Sequence, residues 1–180
     1  VGRQTEDFHQ RVRLAKLTNP YTAGTARVII RPTEDWEMHG FGMGKDGKIR
    51  PRVVEGGTAI YGDDGEVYLT YSGSGYWTPY YALGQLTLRG DPEKIEDWEK
   101  KKKPIFSMSD KVFGCGHASF FKDAAGDRFI CYHAYLSREK GAKRHVFLER
   151  YHIEDGKIII GNGSGKPADY TVATETITIF

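Results

Sequence analysis

Two short stretches hold side chains able to move a proton or meet a polar ligand. Residues 53–60 read VVEGGTAI and set one carboxylate, Glu55, inside an apolar strand ahead of Gly56 and Gly57. Apolar flanks desolvate a carboxyl and favour its protonated form, the form that a general acid needs. The two glycines allow a ligand or another backbone to approach closely. The competing expectation is a strand-end glutamate paired with Arg50 or Arg52. Residues 113–120 read FGCGHASF and place His117 just after Gly114 and Gly116 at the head of another strand. A histidine there can contact a channel water or a metal ion. One imidazole is not a metal site, and no HxH or CxxC spacing adds ligands. Cys115 and Cys131 do not make a disulfide framework and read as two buried free thiols.

The elements that must position these residues read as strands. The chain has 180 residues with 22 Gly, 11 Tyr, 9 Phe and 3 Trp, and few stretches of helical period. The strand candidates are Arg27 to Arg31, Glu66 to Tyr71, Tyr80 to Leu88, Arg128 to Tyr135, His145 to Ile153, Lys157 to Ile160 and Thr174 to Phe180. Asp46-Gly47, Asp64-Gly65 and Asp155-Gly156 suit hairpin turns with positive φ. Asp91 to Lys102 is the one helix-like stretch, and it lacks an apolar stripe.

An internal echo organises these strands. Thr58 to Ser72 reads TAIYGDDGEVYLTYS, and Ser119 to His133 reads SFFKDAAGDRFICYH. One offset matches Gly65 to Gly126, Tyr71 to Tyr132, Glu55 to Gly116 and Gly56 to His117. A further strand follows each copy, YALGQL and VFLERY. VRLAKL, from Val12, resembles that strand without its predecessors. Four short strands per unit make a propeller blade, and a propeller closes with at least four blades. The expectation is all-β: about two full four-stranded blades, part of a third and a C-terminal strand. Inner strands of a propeller converge on its central channel, so Glu55 and His117 are expected to face one shared funnel. A β-sandwich with coincidental similarity is the alternative.

Composition narrows the function classes. Lys plus Arg is 26 against 24 Asp plus Glu, a net charge of +2, which points to neither nucleic acid nor an anionic membrane. The basic run Lys100 to Lys103 reads as a solvated loop. No apolar run is long enough to span a bilayer. Aromatic content of 13% argues against disorder. The chain opens at Val1 without an initiator Met or a signal-like apolar segment, and so reads as processed or excerpted. The compartment stays open, with an extracellular or periplasmic one favoured.

Five ordered motifs between about Arg11 and about Ile160 resemble glycoside hydrolase family 43. LTNP followed by IIRPTEDWE resembles the segment before the family's acid. VVEGGTAIYGDDGEVYLTYS is similar to the strand bearing that acid, with Gly57 where Glu-Gly-Pro is usual. YYALGQLTL leading to KPIF follows in order. VFGCGHASFF resembles a Gly-Pro-Gly-His motif, with Cys115 at the Pro position. ICYHAY and KRHVFLERYHIEDG complete the series.

The resemblance implies a five-bladed β-propeller acting by inversion on arabinose- or xylose-containing plant polysaccharides or oligosaccharides. Residues 1–36 would be the tail of a preceding blade, 50–110 the acid-bearing blade, 111–165 the His-bearing blade and 166–180 a C-terminal strand. It implies Glu55 as general acid. It implies His117, Arg144, Trp77 and Tyr71 as substrate-binding residues, with His117 also a contact to metal through water. No cofactor is required, and a calcium ion fits the central channel. The partners implied are a pentose-containing oligo- or polysaccharide and a missing N-terminal part of the propeller, on the same or a second chain. That part would carry the family's general base and a second Asp; Glu6 and Asp7 are not assigned these roles. Inversion needs carboxyls about 6.5–9.5 Å apart, so this piece alone is expected to be inactive. The other readings are a non-catalytic carbohydrate-binding fragment and an interaction module with open blade edges.

Overall fold

A computed structural model describes residues 8–63, 65–139 and 141–168. Thr174 to Phe180, Glu6 and Asp7 lie outside the described residues. Short strands dominate: β1 (Val12–Leu14), β2 (Leu17–Asn19), β3 (Thr22–Ala23), β4 (Arg27–Ile30), β5 (Gly42–Met43) and β6 (Ile49–Arg50). Eight more follow: β7 (Val54–Tyr61), β8 (Val67–Gly73), β9 (Ala82–Leu88), β10 (Trp98–Lys100), β11 (Phe113–Lys122), β12 (Arg128–Tyr135), β13 (Arg144–Glu154) and β14 (Lys157–Ile160). Among the described residues no helix is long and apolar enough to cross a membrane.

β7 to β10 form one four-stranded antiparallel meander, and β11 to β14 form a second. The sequence echo is therefore two sheets of like design. The matched turn glycines Gly65 and Gly126 both have positive φ, 82° and 88°. Asp155 and Gly156 are both left-handed, φ 47° and 67°, as a tight hairpin between β13 and β14 requires. The expected helix over Asp91 to Lys102 is instead a 3-10 turn at Ile95–Asp97 running into β10. Without an apolar stripe the segment gains more by burying Trp98 and pairing with β9 than by coiling. VRLAKL splits between β1, which pairs with β4, and the small ribbon β2–β3.

The layers are the β1–β4 pair, the first sheet and the second sheet. One apolar cluster lies between the first two and includes Ile29, Ile30, Val54, Leu69 and Trp98. The other lies between the two sheets and includes Ile60, Tyr68, Phe106, Cys115, Ile130 and Phe147. The first sheet is covered on both faces, so Tyr68 to Gly73 of β8 are buried without alternation. β13 alternates exposed and buried, as a strand covered on one face does. Cys115 and Cys131 are free thiols, the first buried and the second half-buried.

One ion pair ties the β4–β5 connection to the first sheet. Glu37 is fully buried, and its carboxylate accepts from Lys100 Nζ, Tyr71 Oη and the backbone N–H groups of Thr33 and Glu34. Lys100 is thus withdrawn from the solvated run expected of it, because a buried carboxylate needs a compensating charge.

Candidate active site

Glu55 and His117 occupy equivalent defects in the two sheets. In β7 three steps from Glu55 to Thr58 oppose two in β8, Ser72 to Thr70. In β11 the steps from Gly116 to Ser119 oppose His133 to Cys131 in β12 in the same way. Each bulge inserts one residue and re-aims the side chains beside it. The inserted turn is left-handed in both: Gly56 has φ 62° and His117 has φ 51°. Glycine enters that region freely, whereas a side chain there costs about 1–2 kcal/mol. His117 bears this cost at the position where the sister sheet uses glycine, and such strain clusters at functional sites.

The bulges bring the two residues to one phenol. Tyr81 Oη donates to Glu55 Oε1 at 2.8 Å and lies 3.4 Å from His117 Nδ1. Tyr81 is fully buried. Burial first, then the charge of Glu55, pushes its hydroxyl far above the ordinary tyrosine range, so it serves as a hydrogen-bond donor. The His117 backbone N–H donates to Ser72 Oγ at 2.7 Å, fastening the second bulge to the first sheet. Gly116 must lack a side chain, because a Cβ there would overlap the Tyr81 ring. Glu55 itself is half-buried. The alternative pairing of Glu55 does not form: Arg50 binds Asp46 at 2.8 Å, and Arg52 faces His9 and the Phe41 ring.

His133 completes the cluster. Its ring stacks on Tyr81 at 5.6 Å and 9° and lies 6.4 Å from that of His117. Burial, then the positive charge of Arg144, then His117 pull His133 down to about 4, so the imidazole is neutral at neutral pH. Arg144 Nη1 is 3.5 Å from His133 Nε2, and the guanidinium sits 5.1 Å from the centre of the Tyr76 ring. A hollow of about 600 Å³ opens on that side, and its wall includes Tyr76, Trp77, Phe113, Tyr135, Arg50 and Arg138. Neither Glu55 nor His117 lines it. Arg144 and Tyr76 connect it to the Tyr81 cluster.

The residues singled out in the sequence therefore separate. Glu55, His117 and Arg144 come together around Tyr81 and His133. Trp77, 39% exposed, stands in the adjoining hollow. Tyr71 does not belong: it is 0% exposed, its hydroxyl donates to Glu37 at 2.7 Å, and its ring packs over Gly84 in the core between β4 and the first sheet. As a substrate contact Tyr71 is corrected to a core residue. Its repeat partner Tyr132 is used alike, donating to buried Glu149 at 2.7 Å. Tyr81, Ser72 and His133 are additions. The echo carried the signal for the last two, since each copy ends in Tyr plus a polar residue, and those residues face Glu55 and Gly116 across the ladder.

Calcium takes about six to eight oxygen ligands. Among the described residues no group of three or more His, Cys, Asp or Glu side chains is placed to hold a metal ion. The side chains around His117 do not supply a calcium shell.

The model of a family described as "Glycosyl hydrolases family 43" matches residues 1–158. No curated protein matches this chain. Among solved structures, the chain is similar to an α-L-arabinofuranosidase from Lactobacillus brevis, with 27% identity and a TM-score of 0.73 over 91% of this chain and 50% of that one. It is similar to a thermostable family-43 glycoside hydrolase, with 23% identity and a TM-score of 0.71 over 93% of this chain and 52% of that one. A xylan β-1,4-xylosidase from Bacillus halodurans shares the fold at 17% identity and a TM-score of 0.61, over 87% of this chain and 28% of that one. The chain spans about half the length of the first two. Its two sheets are blades of a partial five-bladed β-propeller.

Proposed function

This chain belongs to glycosyl hydrolases family 43, and from that membership we propose that it carries the proton-donating part of a glycosidase. The substrates are arabinofuranosyl or xylosyl linkages of plant polysaccharides or oligosaccharides. Glu55 gives its proton to the departing glycosidic oxygen as the bond to the anomeric carbon breaks. A water attacks that carbon from the opposite face and loses its proton to a base, so the configuration inverts. The base is an Asp on a further part of the propeller, on this polypeptide or on a second one. Arg144, His117 and the Trp77 side of the hollow hold the sugar.

The observation that supports this reading is the Tyr81 hydroxyl, which donates to Glu55 and also lies within reach of His117. Two strand openings far apart in sequence thus share one half-buried acidic side chain held in a fixed pose, as an acid aimed at a leaving group must be. Tyr81 is a positioning residue, acting through Glu55.

The test compares leaving groups in the protein containing this chain. Glu55→Gln is expected to lower kcat on arabinan, arabinoxylan or xylo-oligosaccharides by about 10²–10⁴-fold. A p-nitrophenyl glycoside, whose leaving group departs without protonation, is expected to lose far less. Near-normal kcat on the natural polymers would remove Glu55 from the role. Binding of the sugars without turnover in the wild type would favour a carbohydrate-binding fragment instead.

A further inference from the structure

We propose that the hollow beside the Glu55 cluster binds an acidic sugar unit, a hexuronic acid borne by the carbohydrate substrate, with Arg138 holding its carboxylate. The inference rests on the glycosidase reading for the rest of the ligand. Its charge preference stands on the hollow alone.

The hollow, about 600 Å³, is within the range of small-ligand sites. Tyr76, Trp77 and Tyr135 give it an aromatic wall against which the C–H faces of a sugar ring pack. Its two cations differ in what they already hold. Arg50 is neutralised by Asp46 at 2.8 Å. Arg138 has no carboxylate partner among the described residues. Its guanidinium lies over the Phe113 ring at 4.5 Å, and its polar contact is a 3.9 Å approach of Nη2 to Met108 Sδ. Sulfur is a weak acceptor for a group with five N–H donors. A ring beneath the guanidinium sets its plane and leaves its N–H edge open, and the acceptor that matches two parallel N–H donors is a planar carboxylate. A neutral sugar offers single hydroxyls and no such fork.

Glu139 is the acidic residue of the lining, and it is exposed and unpaired with Arg138. Arg144, stacked on Tyr76 and without a carboxylate partner among the described residues, extends the positive field toward the Tyr81 cluster. An anionic sugar in the hollow would therefore lie beside the residues that hold the scissile unit. Substrate with an acidic branch is selected where neutral substrate is merely accepted.

Calorimetric titration of the protein with xylotriose, and with xylotriose carrying one glucuronic acid branch, tests this. The branched sugar is expected to bind roughly tenfold or more tightly, as a charge-assisted bond provides. Raising the salt concentration should narrow the gap. Arg138→Ala is expected to erase the gap while leaving the affinity for xylotriose and the thermal midpoint unchanged, and Arg138→Lys to keep part of it. Glu139→Gln should widen it. Equal affinities in the wild type, or a preference that survives Arg138→Ala, would overturn the proposal. Failure of the glycosidase reading would show separately, as unaltered hydrolysis in Glu55→Gln.

Discussion

At the scale of single residues, His133 is the most consequential side chain beside Glu55 and His117. It is neutral, half-buried and stacked on the tyrosine that holds Glu55, and its Nδ1 has no hydrogen-bond partner among the described residues. Its ordinary value is 6.5, and in the fold it titrates at about 4. Between these values the unfolded chain binds more protons than the folded one. Stability tied to His133 is therefore complete above about pH 6.5 and is lost as pH falls through about 4. Thermal midpoints taken from pH 7 to pH 4 should fall more steeply in the wild type than in His133→Asn, which has no proton to gain. Parallel curves would show that protonation of His133 does not strain the site. Glu55 and His117 are legible because each is chemically out of place in an apolar strand. Tyr81 is not, because a tyrosine in YYALGQL reads as core until the fold brings a carboxylate within 2.8 Å of its hydroxyl.

At the scale of elements, the paired bulges bring Glu55 and His117 to one phenol. A strand with strict alternation would carry Glu55 and Thr58 to opposite faces, and the inserted residue breaks that parity. The sister bulges use Gly56 and His117 in one backbone conformation. His117→Gly is expected to raise stability or leave it unchanged, by up to about 1 kcal/mol, since it relieves a left-handed side chain. On the glycosidase reading, activity of the protein containing this chain should fall at the same time, because the ring beside Tyr81 is gone. A substantial loss of stability in denaturant titration would mean that His117 serves the fold and not the site. The bulges are only half written in the sequence. Glycine after Glu55 marks one, but nothing about a histidine marks the other except its alignment with Gly56.

At the scale of the whole molecule, the Glu37–Lys100 pair joins the N-terminal strands to the first sheet. A carboxylate buried to 0% exposure with four donors is stable only while its cation remains. Lys100→Met should therefore cost about 3–5 kcal/mol, the penalty for stranding a buried charge, read as a drop in denaturation midpoint. A loss below about 1 kcal/mol would place the pair in the class of weak surface contacts. Neither Glu37 nor Lys100 bonds to Tyr81, Glu55 or His117, so on the glycosidase reading the hydrolysis by surviving folded protein containing this chain should be little changed.

The sequence alone determined most strands of the two sheets and their repeat, and it singled out Glu55 and His117. Alternation, turn glycines and a repeated pattern are local properties of the chain, and they survive without knowledge of its partners. Tertiary structure alone decided which polar residues meet. Tyr71 and Tyr81 are both tyrosines of apolar strands, and only packing sends one to Glu37 in the core and the other to Glu55 at the site. It likewise turned Lys100 inward and folded the Glu- and Lys-rich segment into an edge strand instead of a helix. Side-chain contacts between distant strands depend on how whole sheets stack, and no local pattern encodes that stacking.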